Sequence, residues 1–398
     1  MNIRELLMYE VLLLLLPVAA ASGWYAARRG MAVKSQKKPA EISPVYFKGL
    51  NYLLNEQPDK AIDLFIKLLD VDSDTVETHL ALGNLFRRRG EVERAIRIHQ
   101  NLIARPSLSR EQRAQALLEL GQDYMRAGLF DRAENLFIEL TELKLYNEQA
   151  NVFLLEIYQQ EKDWKRCLEV AEKITVSHYP ALPNSIAHFY CELAEQQLRQ
   201  QNMAAAEGYL KRAQQMKRSN VRVLMLQAEI EYSRGDCRSV IRLLRQVEGS
   251  DPAYLSDTLP RLVECYRKLS QQQEMYDYLQ QLYQRHHCTE AMLILTDMIA
   301  DTDGEDAAVE AVLDHLAETP DLKGLERLVR LSLQRSEESP RETLDVLLSS
   351  VSKLLDQVPA YQCEHCGFTA KKIHWHCPSC KTWGAIKPLQ CLGRNIKG

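Results

Sequence analysis

Glycine and proline are scarce in this chain of 398 residues, at 16 and 14, and aromatic residues make only 7 % of it. That excludes collagen and Pro/Gly-rich low-complexity chains, and with 46 % hydrophobic and 26 % charged residues it also excludes wholesale disorder. Neither sign of charge dominates: 50 Lys and Arg face 54 Asp and Glu, leaving a net charge of -4. Nucleic-acid binding through a bulk basic field is therefore unexpected, though a local patch remains open. Strand-like alternation is missing from Pro44 to Pro260. Also missing are G-x-x-x-x-G-K-[ST], G-x-S-x-G and H-E-x-x-H, so no phosphate loop, nucleophile elbow or open zinc site points to an enzyme. What the chain does have is length enough for two or three domains with a real core.

The one long apolar run is N-terminal. Leu6 to Ala27 covers 22 residues, interrupted mainly by Glu10 and Pro17, and at 1.5 Å per residue spans a hydrocarbon layer of about 30 Å. Ala19-Ala20-Ala21-Ser22 resembles a cleavage site, so a signal peptide is the alternative. Arg28, Arg29, Lys34, Lys37 and Lys38 follow the run and only Arg4 precedes it. The positive-inside rule then favours an uncleaved anchor with the body in the cytoplasm. Five cysteines scattered singly (Cys167, Cys191, Cys237, Cys265, Cys288) suit a reducing compartment as small buried hydrophobes.

Between Pro44 and Pro260 small residues recur twelve apart: Gly49/Ala61, Gly83/Ala95, Gly121/Ala133, Ala194/Ala206, and in weaker form Leu155/Cys167 and Ala228/Val240. Tyr52, Phe86, Tyr124 and Tyr158 stand three places after the first member; Phe65 and Phe137 stand four after the second, with His99 a departure. The steps are 34, 38, 34, 39, 34 and, to Cys265, 37. Two antiparallel helices can cross closely where both present small side chains, and the aromatics fill the wedge. Gly90, Gly128 and Gly235 mark the turns. A period near 34 resembles the tetratricopeptide repeat. Such an array offers a binding surface rather than a catalytic pocket. The first helix of each repeat should line it, through Asn84, Arg87, Arg88, Gln122, Met125 and Arg126, then Glu156, Glu195 and Glu229; ordinary solvated helix faces are the alternative. Beyond Pro260 the pattern weakens into divergent repeats or capping helices, with a polar outer face expected at the end.

The sharpest site signal is Cys363-Glu364-His365-Cys366-Gly367 followed, with ten residues between the pairs, by Cys377-Pro378-Ser379-Cys380. Two C-x2-C turns can clamp one metal in a closed tetrahedron, a structural site without a position for water. The knuckles resemble those of rubredoxin and of zinc ribbons. Four thiolates do not separate zinc from iron; the short gap and the lack of a redox partner domain favour zinc. His365, His374 and His376 are expected outside the ligand set, and Cys391 is left over. Trp375 and Trp383, with Tyr361 and Ile373, are more apolar surface than so small a module buries alone, and are expected to dock it on the repeats. Lys371, Lys372, Lys381, Lys387, Arg394 and Lys397 make the region basic, so an RNA-binding ribbon is a further alternative.

The ordered triple, together with the start Met-Asn-Ile-Arg-Glu-Leu-Leu, resembles the lipopolysaccharide assembly protein B family of Gram-negative bacteria. The resemblance implies an inner-membrane adaptor that promotes proteolysis of the lipid A deacetylase by the membrane-bound AAA+ protease FtsH. It further implies a lipopolysaccharide-sensing membrane antagonist and other envelope-assembly proteins as partners; a scaffold without a proteolytic role is the alternative, and a homodimer is open. The expected fold is all-α: a tetratricopeptide-type solenoid with an N-terminal transmembrane helix and a C-terminal rubredoxin-like zinc ribbon. The expected boundaries are 1–30 anchor, 31–43 linker, 44–260 repeats, 261–356 divergent helices and 357–398 metal-binding module.

Overall fold

The computed structural model describes residues 76–389, except 178, 218, 336 and 337, together with residues 17, 20–25, 48–49, 51–52, 57, 60–61 and 64. Most of the Leu6 to Ala27 run lies outside the described residues, as do the linker 31–43, Phe65, Cys391, Arg394 and Lys397; Pro17 and residues 20–25 are helical and exposed. Among the described residues no helix is long and apolar enough to cross a membrane. The chain divides into two compact units, Met1–Asn147 and Glu148–Gly398.

The first unit contains α1 (Val76–Arg88), α2 (Val92–Ile103), α3 (Arg110–Arg126) and α4 (Phe130–Glu142). α1 pairs with α2, α3 with α4, and α2 packs on α3. The small residues do what their spacing implies. A Cβ on Gly121 would lie 2.6 Å from Cε1 of Phe137, and one on Gly83 would overlap the His99 ring, so each crossing admits no side chain larger than hydrogen. A basic residue eight places after each aromatic lies over its ring: Lys60 on Tyr52 at 5.9 Å, Arg94 on Phe86 at 5.3 Å, Arg132 on Tyr124 at 5.8 Å.

The second unit continues the helix pairs with α5 (Asn147–Glu161), α6 (Trp164–Ala171), α7 (Leu182–Arg199), α8 (Met203–Met216), α9 (Val221–Ser233) and α10 (Cys237–Ser250). After a 3-10 turn at Pro252–Tyr254 come α11 (Leu255–Lys268), α12 (Gln272–His286), α13 (Thr289–Thr302), α14 (Glu305–Glu318), α15 (Leu322–Arg335) and α16 (Glu338–Gln357). Pro260 ends nothing; it lies inside α11. The five scattered cysteines are all buried, and burial pushes the Cys191 thiol up to about 12.

The turns inside the second to seventh pairs share one geometry. Gly90, Gly128, Lys162, Gln201, Gly235 and Ser270 all have φ between 56° and 83°. The following N–H reaches back five residues, from Glu91 to Phe86 O at 2.9 Å and from Gln271 to Tyr266 O at 3.0 Å, the closing bond of a Schellman cap. From the second repeat to the sixth the left-handed residue stands seven after the first crossing position, so Ser270 places the seventh repeat on Val263, with Tyr266 as its aromatic. The Cys265 register is two residues off; Cys265 is buried simply as a core residue.

The described residues close with a three-stranded antiparallel sheet, order β2-β1-β3, of β1 (Tyr361–Cys363), β2 (Thr369–Ala370) and β3 (Ile386–Pro388). Tyr361 pairs with Ala370 on one side and Pro388 on the other.

Candidate metal centre and its seat on the helices

The two cysteine pairs fold into matching turns. Cys363 N–H donates to Phe368 O at 2.8 Å and Cys377 N–H to Thr382 O at 3.1 Å; Gly367 N–H reaches Cys363 O at 2.9 Å and Lys381 N–H reaches Cys377 O at 3.0 Å. Gly367 and Lys381 occupy the same left-handed position, at φ 76° and 59°. The second turn therefore places a lysine where the first uses the residue that suffers no Cβ penalty.

These turns bring four sulfurs within 4.8 Å of one another. Cys363 Sγ to Cys380 Sγ and Cys366 Sγ to Cys377 Sγ are both 3.7 Å. A tetrahedral site with metal–sulfur bonds near 2.3 Å has sulfur separations of about 3.8 Å, so the donor set fits a four-thiolate metal. Zinc and iron share this geometry. The Thr382 hydroxyl, and after it the Thr382 amide, draw the Cys380 thiol down to about 5, and the Phe368 amide lowers that of Cys366. Both shifts favour the thiolate form. His376 instead meets Lys381 O at 2.9 Å through Nε2, and His365 and His374 are exposed.

The small sheet has little core of its own: Cys363, Cys377 and Ile386 with Tyr361, Phe368 and Ala385 around them. Its two tryptophans leave it and enter the helices. Trp383 is buried between the rings of His188 at 5.1 Å and His376 at 4.4 Å, and meets Trp164 and Phe189 edge-on, each at 5.8 Å. Its Nε1–H donates to Gln159 Oε1 at 2.8 Å, and its carbonyl accepts from Asn184 Nδ2 at 3.2 Å. Trp375 stacks on Tyr254 at 5.3 Å, lies 5.6 Å from the Arg222 guanidinium, and with Ile373 joins Val221, Leu224 and Val247. Tyr254 donates to Ile386 O at 2.9 Å, Tyr361 to Asp257 Oδ1 at 2.8 Å, and Lys387 pairs with Asp251. Arg222, 2 % exposed, is held by Glu192 and Glu195, both at 2.7 Å. The expected docking thus occurs through Trp375, Trp383, Tyr361 and Ile373. Glu195, expected in a partner groove, is thus committed to Arg222; the sequence signal for this seat is Arg222 itself, a charge at the second position of the otherwise apolar start of α9.

Residues 361–388 match the family described as rubredoxin metal binding domain, and residues 78–113 match the tetratricopeptide repeat. Lipopolysaccharide assembly protein B of Escherichia coli K12 is 40 % identical over 97 % of this chain and 99 % of its own length; that of Haemophilus influenzae is 34 % identical over 98 % and 100 %. The chain belongs to the lipopolysaccharide assembly protein B family. Among solved structures, MamA is similar at 22 % identity and a TM-score of 0.33, over 43 % of this chain and 94 % of that one.

In this family member the first-helix residues expected to face a partner differ in what they do. Arg88 and Arg126 are exposed, while Asn84, Gln122 and Met125 are half-buried. Gln122 turns back on its own helix, with Nε2 at 3.4 Å from Leu118 O. Arg87 is committed internally: its guanidinium pairs with Asp123 at 2.9 Å and Glu119 at 2.6 Å, tying α1 to α3. The other Asp123 oxygen lies 2.5 Å from Nδ1 of the fully buried His99. Arg87 is therefore part of the packing between repeats.

Proposed function

We propose that this chain is a non-catalytic inner-membrane adaptor of lipopolysaccharide synthesis, anchored by Leu6 to Ala27 with its body in the cytoplasm. It promotes degradation of the lipid A deacetylase by the membrane-bound protease FtsH. The observation that carries this reading is the end-to-end match to lipopolysaccharide assembly protein B, at 40 % identity over 97 % of the chain. Physical reasoning supports it: anchoring confines the adaptor to the layer beside the bilayer and raises its effective concentration toward a membrane-held protease. The repeats then offer a second surface, including Arg88 and Arg126, to a soluble substrate. Cys363, Cys366, Cys377 and Cys380 hold a structural metal, zinc by preference, whose binding supplies folding energy that the ribbon's small core lacks. A membrane antagonist that senses lipopolysaccharide competes for the adaptor.

The test is to deplete the protein in cells and follow the deacetylase, with affinity capture from membranes alongside. A longer deacetylase half-life and co-recovery of FtsH are expected; an unchanged half-life would sink the proteolytic reading. The word "assembly" in the relatives' name favours one second reading, a scaffold for envelope-assembly complexes, which predicts recovery of envelope proteins with the deacetylase half-life unaffected.

A further inference from the structure

The four sulfurs of the cage are not equally open to solvent. Among the nine described cysteines Cys366 alone is exposed; Cys380 is half-buried, and the other seven are buried. Cys363 and Cys377 form the closed side of the cage, 2 % and 0 % exposed and packed with Ile386. Around Cys366 the chain is open: Glu364, His365 and Gly367 in its own turn, and Pro378 and Ser379 in the other, are exposed as well. The tips of both turns thus stand in solvent while Trp375 and Trp383 are seated on the helices. The Cys366 sulfur also lies 3.7 Å from that of Cys377, so the one accessible thiol adjoins one that no reagent reaches from outside.

We propose that Cys366 is an oxidation site through which a peroxide opens the metal clamp and unseats the ribbon. The inference rests on the reading of the four cysteines as a metal site, and is independent of the proteolytic role. The Cys366 thiolate attacks one oxygen of hydrogen peroxide; the O–O bond breaks, hydroxide departs and the sulfur becomes a sulfenic acid. The Cys377 thiolate then attacks that sulfur, forming a Cys366–Cys377 disulfide and expelling a second hydroxide. Two protons from solvent convert both hydroxides to water, each sulfur has given up one electron, and the peroxide has taken two. Burial sets this order, because Cys377 can resolve the sulfenic acid but cannot meet the oxidant first. The disulfide leaves Cys363 and Cys380 as the remaining thiolates, two ligands where a closed site needs four. Folding energy that the ribbon's small core lacks is lost with the ligands, and with it the placement of Trp375 and Trp383. The scattered cysteines of the helices are buried and escape, since oxidation follows exposure as well as thiolate character.

The test uses the full chain in detergent or nanodiscs, loaded with zinc and treated with excess hydrogen peroxide. Zinc release is followed with a chromogenic chelator, disulfides by peptide mass mapping, and the ribbon by hydrogen exchange over residues 361–388. Stoichiometric zinc before treatment checks the site itself, and a chain that holds none overturns both readings. Zinc is expected to leave in step with a Cys366–Cys377 disulfide, exchange to rise over the ribbon, and Cys167, Cys191, Cys237, Cys265 and Cys288 to stay reduced. A dithiol with fresh zinc should restore the starting state. Cys366→His keeps four ligands, since zinc accepts three cysteines and a histidine, and is expected to retain its zinc in the same peroxide. A wild-type chain that keeps its zinc overturns the proposal and leaves the metal site standing. So does a first disulfide other than Cys366–Cys377, one that uses Cys391 included, or a zinc-loaded Cys366→His chain that releases metal as fast as wild type. If histidine does not hold zinc, the mapped disulfide of the wild-type chain decides by itself.

Discussion

The indole N–H of Trp383 donates to Gln159 across 2.8 Å, joining residues 224 apart in sequence. The metal-binding module is thus seated by side chains from α5, α6, α7 and α9, and its two tryptophans belong as much to the helices as to the ribbon.

Trp383→Ala should unseat the ribbon. Replacing a buried tryptophan ringed by aromatics costs about 3–5 kcal/mol, while the helix pairs retain their own core clusters. Hydrogen exchange is expected to rise over residues 361–388 with helical circular dichroism intact. Protection unchanged from wild type would contradict the seating.

Cys363→Ser with Cys366→Ser removes two of the four thiolates. Bound metal is expected to fall to background, and Trp375 and Trp383 fluorescence to shift red as the rings meet water. On the proposed adaptor role, the deacetylase should then persist in cells. Full adaptor function in a metal-free variant would refute the structural role of the site.

Acidification should loosen the seat through His188. Burial first, and then Arg222 nearby, hold its imidazole well below the usual 6.5. In the unfolded chain the group titrates near 6.5, so below that pH the unfolded state binds a proton that the folded state refuses. Stability is whole above about pH 6.5 and declines as pH falls, by at most about 1.4 kcal/mol per unit. Urea midpoints at pH 7.5 and 5.5 measure this, with metal content followed because protons also compete for thiolates. His188→Phe is expected to flatten the profile.

Glycine substitutions separate crossing positions from ordinary helix. Gly83→Ala and Gly121→Ala push a methyl into His99 and Phe137 and should each cost about 1–3 kcal/mol. Gly208→Ala, on α8 with nothing within 4 Å of the added carbon, should stabilise by about 0.5–1 kcal/mol. Three equal midpoints in urea would remove the steric account.

Charge reversal should divide the arginines in the same way. Arg87→Glu leaves Asp123 and Glu119 uncompensated and is expected to destabilise by about 3–5 kcal/mol. Arg88→Glu with Arg126→Glu should leave the melting temperature within about a degree or two and reduce recovery of a partner in affinity capture. Undiminished recovery would exclude that surface.

Much of this was legible beforehand because it is local. The twelve-residue spacing of small side chains dictates where two helices can cross, the glycines at Gly90, Gly128 and Gly235 dictate where they turn, and two C-x2-C turns dictate a four-sulfur cage. The cation over each early aromatic, a basic residue eight places on, became a pattern only once the structure set the two side chains together. The seventh repeat was misregistered because Ser270 takes the left-handed turn position without being glycine, so the cue present in the earlier repeats was missing.

What the chain order alone could not disclose is which helices receive Trp375 and Trp383, that Arg87 is bound to Asp123 instead of facing a partner, and that α16 keeps an apolar side in water. Spacing along the chain determines contacts within a turn or a hairpin, where geometry follows from the backbone. Contacts over 100 residues or more, such as Tyr361 to Asp257, depend on how successive helix pairs stack, and that is a property of the packed side chains taken together.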